Sequence, residues 1–331
     1  MKSTLLKGLM ATVAMTFAAQ AATAATEGEI TVGYFLEWPM PFMVAKASGA
    51  YDEALGMKVN WRSFETGTAM SAAMASGDVQ ISVSQGLPPF VVATSAGQDL
   101  QIADIAVSYS DNDNCVVRTD LEIDKTNASE LAGKTVAVPL GTAAHYSFLR
   151  QMDHFGVPLD SLKIVNMAPP EGAAALEQKA VDFACGYGGG LSRMKEHGNV
   201  LLTGKEKEDL GILVFDVTSA PAAYMAEHPD VMTKFLGVTA AANAAWAADP
   251  SDASLAIIAK ESGMDVDAAK TAIATMSFPT VEEQLSDKWL GGNVQAFMKG
   301  VADVFVEADS IDKALDSYDG TVNTGPLAAV K

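Results

Sequence analysis

Strand-like and helix-like stretches alternate along this chain, stop, and begin again, and that restart narrows the folds open to it. EGEITVGYFLEW places apolar residues at Ile30, Val32 and Tyr34, the two-residue period of a strand. PMPFMVAKASGAYDEAL reads as a loop and a helix stopped near Gly49 and Gly56. MKVNWRSF, VQISVSQG and LQIADIAVSY read as further strands, separated by helices over TGTAMSAAMASGD and LPPFVVATSAG. Near residue 111 the pattern restarts. DNCVVR, KTVAVPLG, LKIVNMA, VDFACGYGGG and LGILVFDVT are strands, with NASELAG a capped turn and helices after Gly141 and around GAAALEQKA. From about Pro221 onward only amphipathic or Ala-rich helices are expected.

Strands joined through helices pair in parallel, because a crossover is needed to bring the chain back in the same direction. The expected class is therefore α/β with two lobes. Each lobe is a mostly parallel sheet flanked by helices, and the C-terminal region is helical. Lobe one takes residues 29–106 plus 220–331 and lobe two takes 109–216, with crossings near 107–110 and 216–221. Two crossings make a hinge, and loops at the carboxyl ends of the strands line the cleft between the lobes.

The N-terminus gives an address. Lys2 and Lys7 precede an apolar run through Phe17, and Ala22-Thr23-Ala24 fits a small-residue cleavage site. Residues 1–24 are read as a secretory signal peptide, with cleavage after Ala21 as the second choice. No Cys follows the run, so no lipid anchor is expected. Losing Lys2 and Lys7 takes the net charge from −19 to −21. Such a surface repels nucleic-acid phosphates and anionic lipid, and neither is expected as a partner. Two cysteines, Cys115 and Cys185, sit in an oxidising compartment on this reading, either as a disulfide or as buried apolar filler. Without a CxxC, an HExxH or a His cluster, no metal site or cofactor is expected.

One stretch points to a ligand. In PLGTAAHYSFLRQMDHFG a strand meets Gly141 and Thr142, and a helix begins at once with His145 one turn inside it. The first amides of a helix lack internal acceptors and its N-terminal end carries positive partial charge, so an anion can be held there. The competing reading is that Thr142 only caps the helix and His145 is a surface residue.

The chain is identified as a member of the periplasmic substrate-binding proteins of ABC importers, in the branch that takes up taurine and other sulfonates. ITVGY, VNWRSFETGTAMSAAMASGDVQIS, ELAGKTVAVPLGTAAHYSFL, VNMAPPEGAAALEQKAVDFA and AEHPDVMTKFL carry the resemblance. It covers about residues 29 to 247 and weakens in the last 80 or so. It departs from the family pattern at GYGGG and in the first loop, FLEWPMPF. The resemblance implies a two-lobed periplasmic carrier without catalysis. Its implied ligand is taurine or a related sulfonate, its partners are the membrane permease subunits, and it acts as a monomer. Another small ligand on the same fold is the alternative: an alkanesulfonate, a sulfate ester or an amine-type solute. The same fold class also holds pyrimidine-forming enzymes of thiamine biosynthesis that use His and Cys. An export signal opposes that reading, and no base accompanies Cys185 in sequence.

For a sulfonate zwitterion, the expected cradle is Gly141, Thr142, His145 and the first helix amides, completed by Gln85 and Gly86. An ammonium calls for carboxylates or aromatic faces: Glu37, Trp38 and Asp216, with Tyr187 touching either end, while Trp38 and Phe42 would hold an aromatic or amidine-like cation on the alternative ligand reading. Each has a plainer alternative. Glu37 can be an exposed acid, Trp38 can pack the lobe surface, and Asp216 can satisfy hinge backbone.

Overall fold

The computed structural model describes residues 28–331, so the signal peptide expected over 1–24 lies outside the described residues. Eleven strands are found among them: β1 (Glu29–Phe35), β2 (Lys58–Phe64), β3 (Ile81–Gly86), β4 (Leu100–Tyr109), β5 (Asp113–Arg118), β6 (Thr135–Val138), β7 (Lys163–Asn166), β8 (Phe183–Tyr187), β9 (Gly198–Val200), β10 (Val214–Pro221) and β11 (Met276–Ser277). They form two sheets, in the orders β11-β4-β10-β3-β1-β2 and β7-β6-β8-β5-β9.

Both sheets are mixed. β1 pairs in parallel with β2 and β3, and β6 in parallel with β7 and β8. The antiparallel members are the strands that carry the chain between the sheets. The chain leaves the larger sheet along β4 and returns along β10, which lies antiparallel between β3 and β4. β5, the first strand after the departure, runs antiparallel to β8 and β9. The return comes earlier than the 216–221 expected from sequence. Val214 already pairs with Tyr109, because β4 extends far enough to offer ladder partners to VFDVT. β11 is a further departure, a strand inside the helical region. Its two residues pair with the end of β4 and are too few to show a period.

β3 carries Ile81 and Val83 with no exposed surface, as expected of a strand covered on both faces. Helices Pro229–Ala248 and Asn293–Glu307 pack Phe235, Met298, Val301 and Phe305 into the same core. In the smaller sheet Cys115 lies directly opposite Cys185 on β5 and β8, and the two are joined as a disulfide. The thiol considered as a nucleophile is thus bonded. No helix among the described residues is long and apolar enough to cross a membrane.

Candidate functional site

Parallel strands end on one side of a sheet, and the ends of β1, β3, β4 and β8 meet where the two sheets face each other. Phe35, Gly86, Tyr109 and Tyr187 close these strands, and Asp216 enters from the start of β10. Helix Ala143–Phe155 begins at the same place. Together with Trp38, Gly67, Pro89, Thr142 and Ala143 these residues line a chamber of about 20 Å3. Its lining holds one carboxylate and no cation.

That carboxylate is wired by two donors. Tyr109 OH donates to Asp216 Oδ1 at 2.7 Å and Ser84 Oγ donates to Oδ2 at 2.6 Å. Ser84 Oγ in turn accepts the Trp38 indole N–H at 2.9 Å. The Trp38 ring stands edge-on to Tyr109 at 4.7 Å and to Tyr187 at 6.4 Å. Burial pushes the Asp216 carboxyl up to about 7, against the lowering by Ser84 and Tyr109, and the Asp113 charge adds to the rise. Burial also raises Tyr187 well above the usual phenol range, so its OH stays protonated and donates to the Glu65 carbonyl at 2.9 Å.

Two helices aim their first turns at the chamber. Gly67 opens helix Gly67–Ala75, and Ala143 opens helix Ala143–Phe155. Ala143 and Ala144 occupy the first two helical positions, whose amides have no acceptor within the helix. The Thr142 hydroxyl does not add to them. It donates to the Pro139 carbonyl at 2.6 Å and accepts the His145 amide at 3.4 Å, so it caps the helix.

Four expected contacts sit behind the chamber. The Gly141 amide donates to His145 Nδ1 at 3.1 Å, so neither group is offered to a ligand. The His145 ring lies 5.3 Å from Phe305, and burial drives its pKa down to about 4. It faces helix Asn293–Glu307 rather than the cleft, since its helical rotation turns it away from Ala143. Gln85 is fully buried and spends its amide on the Gly67 carbonyl, Ser71 and Ser219. Phe42 is a core residue, stacked on Trp61 at 5.5 Å and edge-on to Tyr34. Conversely, Ser84 and Tyr109 were missed in the sequence. Their signal was polar groups within the apolar strand SVSQG and at the carboxyl end of LQIADIAVSY.

A wider cavity of about 500 Å3 forms the mouth. Here Glu37 is committed to Arg193 across the gap, through bonds of 2.7 and 3.1 Å, rather than left for an ammonium. Its partner raises the Arg193 guanidinium further. Glu37 has φ 54, and its amide donates to the Ser262 carbonyl at 2.7 Å. The run GYGGG explains itself at this contact. A Cβ on Gly188 would sit 2.8 Å from the Glu37 carbonyl oxygen, and one on Gly189 would sit 2.5 Å from its carboxylate. Gly188 also has φ +56, a conformation costly for other residues.

Comparison with known proteins gives consistent matches. The family model described as NMT1/THI5 like matches residues 39–253. The taurine-binding periplasmic protein of Escherichia coli K12 is 29% identical over 63% of this chain and 64% of its own length, so the match spans slightly under two thirds of that relative. A putative aliphatic sulfonates-binding protein of Bacillus subtilis 168 is 25% identical over 86% of this chain and 83% of its own. In three dimensions the chain resembles the alkanesulfonate-binding protein SsuA from Xanthomonas axonopodis pv. citri, solved bound to MOPS. The TM-score is 0.73 at 19% identity, covering 91% of this chain and 99% of that one.

Proposed function

The chain belongs to the NMT1/THI5-like family, and on that premise we propose that it is the ligand-capturing component of an ABC importer, exported to the periplasm and specific for a small amino-sulfonate such as taurine. The lobes of this reading are 29–106 plus 220–331 and 109–216, with the return strand beginning at Val214, and they close on the ligand and deliver it to a membrane permease as a monomer. The relatives' names supply the solute class. The observation that carries the finer choice is the chamber, whose lining brings together a buried carboxylate, no cation, and Ala143 at the first position of a helix.

That pairing complements a zwitterion. Helix-start dipoles hold a sulfonate without a buried countercharge, and such dipoles need no desolvated arginine that would cost energy each time the lobes parted. The ammonium supplies the positive charge that Asp216 lacks, between the faces of Trp38, Tyr109 and Tyr187. The closed chamber has room for about one water molecule, so a ligand enters only as the lobes part.

Calorimetry across pH 5.5 to 8 tests the choice of ligand. Below the Asp216 midpoint the carboxyl is mostly protonated, and an arriving ammonium must displace that proton. Taurine affinity therefore rises with pH to about 7 and then levels off. An amine-free sulfonate gains nothing from the carboxylate and meets a like charge, so its affinity falls over the same range. Parallel slopes for both would remove the amine from the reading, and binding of neither would remove the sulfonate.

A further inference from the structure

Ser84 lies inside β3 with φ 60, in the left-handed region where a side chain crowds the following carbonyl and glycine is the usual occupant. The ladder with β10 shows why it is there. Val217 pairs with Gln85 and Ser219 with Ser82, so two residues, Val83 and Ser84, oppose Thr218 alone. This is a β-bulge whose extra residue is left-handed, a form that normally takes glycine, and bulges beside a site re-aim a side chain. Ser84 is 1% exposed, so solvent does not account for the hydroxyl.

We propose that Ser84 is a positioning residue of the site, kept in a strained bulge because its one hydroxyl holds Trp38 and Asp216 in the geometry that receives the ligand's positive group. The direction of the bonds is forced. An indole N–H can only donate, so the hydroxyl accepts there, and towards the ionised Asp216, which can only accept, it donates its own proton. The titratable groups around Asp216 are Tyr109 from β4, Asp113 from β5 and Tyr187 from β8, and Lys207 is paired with Asp113 at 4.0 Å. Only Ser84 and Tyr109 donate to the carboxylate, while Asp113 opposes its ionisation. Removing the Ser84 donor therefore makes ionisation harder and moves the Asp216 midpoint upward. The identity of the ligand rests on the reading in the preceding subsection, whereas the wiring of Trp38 to Asp216 does not.

Ser84→Gly separates positioning from packing, because glycine relieves the backbone while deleting the hydroxyl. The expected result is a melting temperature at or above that of the parent, with taurine affinity about tenfold to a hundredfold weaker. A second readout needs no ligand. Trp38 fluorescence, isolated by difference from Trp38→Phe, should titrate with the Asp216 midpoint in the parent and at higher pH in Ser84→Gly. Ser84→Ala should move the midpoint the same way and lower the melting temperature, since it keeps the strain. An unchanged midpoint in both variants overturns the proposal, whatever happens to stability. If the parent binds no sulfonate but the midpoint still moves, the ligand reading fails and the role of Ser84 stands.

Discussion

The chamber and the mouth are both built where the two sheets face each other, yet they handle charge in opposite ways. At the mouth Glu37 meets Arg193, each partly exposed, with side-chain exposures of 35% and 44%. Solvent screens such a pair, and its worth is about 0–1 kcal/mol. In the chamber Asp216 is 3% exposed and has hydroxyl donors but no cation. The mouth is electrically complete as it stands. On the proposed reading, the ligand's ammonium supplies the positive charge that the chamber lacks. A carboxylate visible in the sequence is thus a poor guide to ligand contact until its partner is known: Glu37 is paired with Arg193, and Asp216 has no cationic partner.

The largest test of this contrast is Asp216→Asn. Taurine should lose about 2–5 kcal/mol of binding, as when one partner of a desolvated charge pair is removed, while an amine-free alkanesulfonate is unchanged below the Asp216 midpoint and tightens above it, where the like charge has gone. Equal losses by calorimetry would mean that the chamber does not read an ammonium. Ala143→Pro comes next. Position N1 of a helix tolerates proline, and Thr142 at φ −101 and ψ 178 suits a residue before it. The helix should survive while one anion-facing amide disappears. The expected cost is about 1.5–3 kcal/mol for any sulfonate, with the melting temperature kept.

Gly188→Ala acts chiefly on the mouth, with an ordinary van der Waals contact of 3.4 Å to the Trp38 ring. Its Cβ meets the Glu37 carbonyl at 2.8 Å in a left-handed backbone, so closure should be hindered and every ligand weakened by about 1–2 kcal/mol. Small-angle scattering with saturating ligand should then show a more open particle, and unchanged closure would free the GYGGG run from this role. The smallest effect is expected for Glu37→Gln. Loss of the Arg193 pair should cost about 1 kcal/mol or less, equally for taurine and for an amine-free sulfonate. A selective loss of taurine would return Glu37 to the ligand and blur the contrast between the two regions.

Much of the fold could be read along the chain because each element carries its own period. Ile30, Val32 and Tyr34 mark β1, and TGTAMSAAMASGD marks a helix capped by Thr66. Order across the sheet could not be read in this way. The insertion of β10 between β3 and β4 depends on edges offered by residues more than 100 positions away. The candidate site was legible near strand ends, where Trp38, Gly86, Tyr187 and Asp216 line the chamber. It was illegible wherever rotation decides the outcome. His145 and Ala143 lie within one turn, yet one packs under Phe305 and the other faces the cleft.

The sequence by itself determined the alternation of elements, the restart and the stock of groups at the strand ends, since these follow from local propensity and from the period of burial. Tertiary structure alone decided which groups were already spent. The imidazole of His145, the amide of Gln85, the hydroxyl of Thr142 and the carboxylate of Glu37 all found partners within the protein, and Asp216 found donors but no cation. Hydrogen bonds and ion pairs are satisfied through space rather than along the chain, so what remains for a ligand is known only after the internal partners have been assigned.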